Sequence, residues 1–340
     1  MSSRFELSAR RTLGKSGVAV SPLCLGTMMF GDQTERADAA RIVDSAKDAG
    51  VNFIDTADAY AKGESERIVG ELIKANREHW VLATKVGNAT EDGPGGLKPE
   101  WLAGAIDKSL ARLALEHVDI WYLHRPDRDV PLEDTIGAVG RIVEAGKIRA
   151  WGFSNYRGWQ VGELVRVADS LGVPRPVVCQ PYYNAVNRMP ENDILPACLH
   201  YGIGVVPYSP LARGVLTGKY APDEAPSGES RAGRNDRRMM ETEWRRESLV
   251  VAREIVEHVA FRNGMTAADF ALLWVLNNRI VTSVLAGPRT QEHWQAYLGA
   301  LEHEFDAEDE ALIDRLVASG HPSTPGYNDP RYPIEGRMVG

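Results

Sequence analysis

Short apolar runs rich in β-branched and aromatic residues recur along the chain, and longer stretches of helical period separate them. The runs are SPLCLGT (21–27), VNFIDTA (51–57), WVLATKV (80–86), VDIWYLH (118–124), IRAWGFS (148–154), VVCQPYY (177–183), GIGVVPYS (202–209) and TSVLAGP (282–288). Between them lie ADAARIVDSAKDAG (37–50), SERIVGELIKANREH (65–79), EWLAGAIDKSLARLAL (100–115), EDTIGAVGRIVEAGK (133–147) and AADFALLWVLNN (267–278). These place apolar residues three and four positions apart, as an amphipathic helix requires. Most runs start about 30 residues apart, the length of a βα unit.

Strands alternating with helices imply a parallel sheet, and eight such units imply a closed (β/α)8 TIM barrel of the α/β class. The open, doubly wound alternative normally announces itself with G-x-G-x-x-G after the first strand. Here GIGVVP (202–207) holds only two of those glycines and reads on as strand, and GPGG (93–96) is loop chemistry. Three segments fall outside the repeat. Residues 11–22 predict an N-terminal β-hairpin with Gly14 and Gly17 at its turn. Residues 221–247 are polar and arginine-rich and predict a long loop after strand seven. The tail from Ser319, rich in Pro and Gly, predicts no helix. The expected organisation is one barrel domain over 1–340, with 1–10 and 319–340 as peripheral tails.

Composition narrows the function classes. With 44% hydrophobic residues in 340, the chain can bury a large core. A net charge of -8 argues against a general nucleic-acid binder, which needs a basic surface. The polar N-terminal stretch lacks the apolar core of a signal peptide, and no run of about 18 apolar residues predicts a membrane span, so the cytoplasm is the expected compartment. Cys24, Cys179 and Cys198 are too few and scattered for a disulfide framework or zinc site, and no metal is expected. EHEFDAEDE (302–310) reads as a helix start with a solvated face.

The chemistry lies where strands end. In such a barrel, side chains from the C-terminal ends of different strands converge at one mouth. Run two ends in Asp55 and leads to Tyr60, run three carries Lys85, and run four ends at His124. A buried Asp and Lys are costly unless paired, so Asp55 is expected to hold Lys85. The ammonium is then expected to lower the Tyr60 phenol toward working pH, making it a general acid, with His124 orienting a carbonyl oxygen or relaying a proton. Asp58 is expected to shape the turn before Tyr60.

At this point the sequence resembles the aldo-keto reductases, from roughly Arg11 to Leu301. GVNFIDTADAYAKGESE, ATKVG and WYLHRPD are similar to that family's Asp-Tyr, Lys and His segments, and WGFSNY, CQPYYN and YSPLARGVLTGKY to its cofactor-binding segments. The pattern is nearest the branch of potassium-channel β-subunit-like and bacterial reductases. The resemblance implies a tetrad of Asp55, Tyr60, Lys85 and His124 and an NADPH lying across the barrel mouth. It implies that Ser154, Asn155 and Gln180 read the nicotinamide amide, with Asp55 beside it and Tyr208 stacked on the ring. Ser209, Pro210, Leu211 and Gly214 would meet the pyrophosphate, and Lys219, Arg231 and Arg289 the 2′-phosphate. Gly26, Thr27, Met28 and Gly287 complete the implied cofactor contacts. Where the family often has Gln and Asn to read adenine, this chain has His293 and Tyr297, which implies stacking or other contacts there. Arg234, Arg237 and Arg238 are read as solvating a mobile lid.

The substrate pocket is expected to involve Met29, Phe30, Tyr60, Trp101, His124 and Arg125, with the partner a small carbonyl compound and neither nucleic acid nor membrane. The leading reading is reduction of an aldehyde or ketone. A cofactor-binding redox sensor or regulatory subunit with very slow turnover is the alternative, and a Schiff-base lyase built on Lys85 is a third class. The tail tyrosines Tyr327 and Tyr332 are compatible with covering the site, packing on a neighbouring subunit or remaining mobile. A homo-oligomer is expected only because the resembling branch often assembles.

Overall fold

The computed structural model describes residues 5–228 and 230–333. Residues 1–4 and 334–340 of the two tails, and Glu229 of the long loop, lie outside the described residues.

The short apolar runs, buried on both faces, decide the architecture. After a hairpin, β1 (Arg11–Thr12) and β2 (Ala19–Val20), come eight parallel strands: β3 (Leu23–Gly26), β4 (Phe53–Asp55), β5 (Val81–Val86), β6 (Val118–Leu123), β7 (Ile148–Ser154), β8 (Val178–Gln180), β9 (Gly204–Val205) and β10 (Val284–Ala286). Each falls within one of the eight runs. They pair in the order β10-β3-β4-β5-β6-β7-β8-β9. A parallel bridge Val205↔Val281 joins the two ends of that order, with Thr282 N donating to Val205 O at 2.8 Å and Leu285 N to Pro207 O at 3.0 Å. The result is a (β/α)8 TIM barrel.

Alternation sorts the strand side chains into two cores. Cys24, Phe53, Ala83, Ile120, Tyr122, Val178 and Val206 fill the barrel interior, while Leu25, Ile54, Leu82, Trp121, Phe153 and Cys179 pack outward against the helices. Gly152 takes its place on the inner wall because a Cβ there would meet Val178 O at 2.5 Å and the Tyr122 ring at 3.0 Å. The hairpin plugs the N-terminal end, where Leu13 and Val20 join the interior cluster and Lys15 N donates to Gly202 O at 2.8 Å. The opposite end stays open for chemistry.

The helical segments form where the 3.6-residue period runs, at Arg36–Asp48, Glu64–Ile73, Pro99–Leu113, Leu132–Glu144 and Ala267–Asn277. The acidic EHEFDAEDE stretch starts the helix Ala307–Leu316, capped by Asp306, which accepts from Glu308 N and Asp309 N. The segment read as a long loop is partly helical: Arg237–Thr242 forms a short helix whose cap, Asp236, accepts from Met239 N. Its six residues are too few for an apolar stripe to repeat, and three arginines of the segment turn toward carboxylates. Arg237 and Arg238 bond Glu241, and Arg231 bonds Asp236.

Candidate active site

The same alternation that fills the barrel with Phe53, Ala83 and Tyr122 sends Asp55, Lys85 and His124, two residues further along their strands, toward the mouth. Register aligns them: Asp55 sits opposite Gly26 and Ala83, and Lys85 opposite Tyr122. Tyr60 arrives from a turn in which Ala61 and Lys62 take left-handed φ of 45° and 59°. That turn is braced behind the site. Ser65 Oγ donates to Thr27 O at 2.8 Å and lies 2.9 Å from the hydroxyls of Thr27 and Thr56. Buried Glu66 accepts from Thr84 and Arg112, both at 2.6 Å. The acidic GESE stretch after Tyr60 is thus a brace for the turn that carries Tyr60.

Lys85 Nζ is completely buried and donates to three oxygens: Asp55 Oδ1, Thr56 O at 2.8 Å and Tyr60 OH at 3.3 Å. Burial alone would lower Lys85, but Asp55 and Tyr60 more than offset it and leave it raised. An amine held as ammonium is a poor nucleophile, which disfavours the Schiff-base reading. Asp55 is pushed up by burial against the pull of Lys85 and of Gln180, whose Nε2 donates to Asp55 Oδ2 at 3.0 Å.

Tyr60 departs from the sequence expectation. Its phenol is raised, because burial outweighs the neighbouring ammonium. It therefore stays O–H at neutral pH, the form that can give a proton. The His124 ring stands edge-on to it, with centroids 6.1 Å apart, and is held well below the usual imidazole range by burial, Lys85, Arg331 and Arg125.

These groups open into a cavity of about 570 Å³ at the C-terminal end of the barrel. Asp55, Tyr60 and His124 line it, and Lys85 lies behind Tyr60. All the residues named above as cofactor contacts line the same cavity, from Gly26, Thr27 and Met28 through Ser154, Asn155 and Gln180 to Arg289, His293 and Tyr297. Asn155, at φ 65°, is held by Tyr208 OH donating to its Oδ1 at 2.9 Å and by its own Nδ2 donating to His124 O at 2.8 Å.

The pocket residues divide. Met29 lines the cavity, whereas Phe30, Trp101 and Arg125 do not. Phe30 N donates to Thr27 O, and that turn drives the Phe30 ring into the helical layer, fully buried. Trp101 packs beneath Gly93 and under Lys108, 5.4 Å from its ring, and Arg125 Nε donates to Gly87 O at 3.3 Å. In their place stand Asn88, Arg213, Arg331 and Tyr332. Arg234 and Arg238, read as lid residues, also line the wall, while Arg237 faces solvent. Arg213 sits inside the SPLARG motif, a signal available in the sequence. Arg331 carried none, and for Tyr332 covering the site was one of three open readings; chain return brings both here.

That return is well tied. Arg238 grips Asp329 with two bonds of 3.0 and 2.6 Å, Arg157 donates to Tyr332 O at 2.7 Å, and Arg245 lies 3.7 Å over the Tyr327 ring.

The lining fits a polyanionic dinucleotide. It carries seven basic side chains (Arg213, Lys219, Arg231, Arg234, Arg238, Arg289 and Arg331) against two acidic ones (Asp55 and Asp269), in a chain whose net charge is -8. Gly214, at φ 96°, leaves backbone open beside Lys219. Among the described residues, no cluster of His, Cys, Asp and Glu could hold a metal ion, and no helix is long and apolar enough to cross a membrane.

A family model described as "Aldo/keto reductase family" matches residues 22–318. A probable voltage-gated potassium channel subunit beta of Arabidopsis thaliana is 35% identical over 305 residues, covering 86% of this chain and 90% of the relative. The uncharacterized oxidoreductase YrpG of Bacillus subtilis (strain 168) is 34% identical, covering 92% and 97%. An L-glyceraldehyde 3-phosphate reductase of Escherichia coli O157:H7 is 31% identical, covering 93% and 94%.

Proposed function

The chain belongs to the aldo/keto reductase family, an oxidoreductase family acting on small carbonyl compounds, and from that premise we propose that it reduces an aldehyde or ketone with NADPH, Tyr60 acting as general acid. The observation that carries this reading is the Asp55–Lys85–Tyr60 chain of buried contacts at the floor of a basic cavity. When bound, NADPH supplies the hydride. Tyr60 gives its proton to the carbonyl oxygen, and the adjacent Lys85 ammonium stabilises the phenolate left behind. Asp55 keeps Lys85 charged and in place. His124 holds the carbonyl oxygen from the cavity side. Ser154, Asn155 and Gln180 take the nicotinamide amide, Tyr208 packs on its ring, and Lys219, Arg231 and Arg289 take the 2′-phosphate, for which guanidinium and ammonium donors are suited.

Tyr60→Phe tests the acid. Turnover of a carbonyl substrate should fall at least about 100-fold, while fluorescence titration shows NADPH affinity unchanged. Near wild-type turnover in that variant would remove Tyr60 from the mechanism. Should a broad aldehyde and ketone screen of the wild type give only one oxidation per bound NADPH, the slow redox-sensor reading replaces the reductase one.

A further inference from the structure

Asn88 stands between His124 and a residue from the far end of the chain. Its Nδ2 lies 2.9 Å from His124 Nδ1, and its Oδ1 accepts from Arg331 Nη2 at 2.9 Å. Chemistry decides which end of the amide is which. A guanidinium only donates, so the atom facing Arg331 must be the carbonyl oxygen, and the atom facing the imidazole must be the NH2. An NH2 only donates in turn, so His124 Nδ1 must accept and carries no hydrogen. A neutral imidazole then bears its proton on Nε2.

Burial keeps the ring neutral, and Lys85, Arg331 and Arg125, approaching from three different segments, add to its effect, while Tyr60 faces it as an uncharged phenol. Arg331 is itself held in place by the C-terminal strap: its own N–H donates to Asp329 Oδ1 at 2.9 Å, and Asp329 is the carboxylate gripped by Arg238.

We infer that Arg331 and Asn88 are positioning residues that fix His124 as its Nε2–H tautomer, so that seating of the C-terminal strap decides whether His124 can donate a hydrogen bond to a substrate carbonyl. Without Arg331 the Asn88 amide is free to turn over. Its oxygen would then face Nδ1, favour the opposite tautomer and leave Nε2 an acceptor that repels a carbonyl oxygen. The catalytic consequence rests on the reductase reading; the tautomer does not.

The test is long-range 1H–15N NMR on protein labelled with 15N-histidine, with His124 assigned by its loss in His124→Phe. The wild type should show an unprotonated Nδ1 and a protonated Nε2. Arg331→Met, and independently Asp329→Ala, should shift His124 to the other tautomer or a mixture, and Arg331→Lys should restore it. Asn88→Asp should raise the pH at which the ring protonates, because a carboxylate replaces the amide against the three cations. In turnover assays Arg331→Met should lower kcat roughly 10- to 100-fold, the scale on which a metal-bound imidazole loses activity without its outer hydrogen-bond partner, with KM moving less. A protonated Nδ1 in the wild type, or a tautomer unmoved by Arg331→Met, overturns the inference. If the tautomer shifts as expected while carbonyl turnover is absent from the wild type, the relay stands and the reductase reading falls.

Discussion

Asp58 shows how a single carboxylate near the Tyr60 turn can set a pH response. It is 3% exposed, its Oδ1 has no hydrogen-bond partner, and burial together with Glu66 pushes it up to about 7, against the pull of Arg112 and Lys85. The sign follows from proton binding: between an unfolded value of 3.8 and about 7 the folded state holds more protons. Stability should therefore fall as pH rises from about 4 to about 7, by something on the order of 4 kcal/mol. In Asp58→Asn that slope should flatten, giving a variant more stable than wild type at pH 7.5 and no better at pH 4. Urea denaturation across the range reads it; an unchanged slope in the variant would place the pH dependence elsewhere. The same competition between burial and charge explains why the Tyr60 expectation turned. Sequence shows that a lysine and a phenol approach each other, but only the fold shows how completely both lose water.

At the scale of elements, glycines in helices carry opposite consequences that their sequence context does not reveal. Gly70, in the helix Glu64–Ile73, faces the end of the next helix so closely that a Cβ would fall 2.0 Å from Leu113 O. Gly104, in the helix Pro99–Leu113, is exposed and meets nothing within 4 Å. Gly70→Ala should cost about 1–3 kcal/mol through forced separation of the two helices. Gly104→Ala should gain about 0.5–1 kcal/mol, since alanine gives up less backbone freedom on folding. Midpoints of chemical denaturation should move in opposite directions with equal slopes, and a shift of the same sign in both would contradict the packing argument. The five main helices and the strand ends were legible because the 3.6-residue period and the direction of side chains along a strand are local; four of those helices start with no side-chain cap. The helix Arg237–Thr242 was not legible, because its six residues are too few for an apolar stripe to repeat.

For the molecule as a whole, the contrast between an acidic chain and a basic cavity has a thermodynamic consequence. A ligand that binds only the folded state stabilises it by mass action, about 2.7 kcal/mol at a hundred times its Kd. NADPH should therefore raise Tm more than NADH at equal concentration, and added salt should narrow the difference as the 2′-phosphate contacts are screened. Equal shifts from the two cofactors would remove Lys219, Arg231 and Arg289 from the phosphate role. The charge contrast was not visible in composition, because the basic residues of the cavity are scattered from Arg213 to Arg331 and are outnumbered along the chain.

The eight short apolar runs and the polar residues at their ends are properties of local sequence, and they determined the barrel, its mouth and the meeting of Asp55, Lys85 and His124. Side-chain direction along a strand needs no knowledge of the rest of the chain. What closes over that mouth was decided by tertiary structure alone. Phe30 and Trp101 turn into the packed layer because a tight turn and a neighbouring loop leave them no other volume. Arg331 reaches Asn88 across 243 positions because Arg238 holds Asp329. Contacts of that separation depend on where the chain returns, which local propensity does not encode.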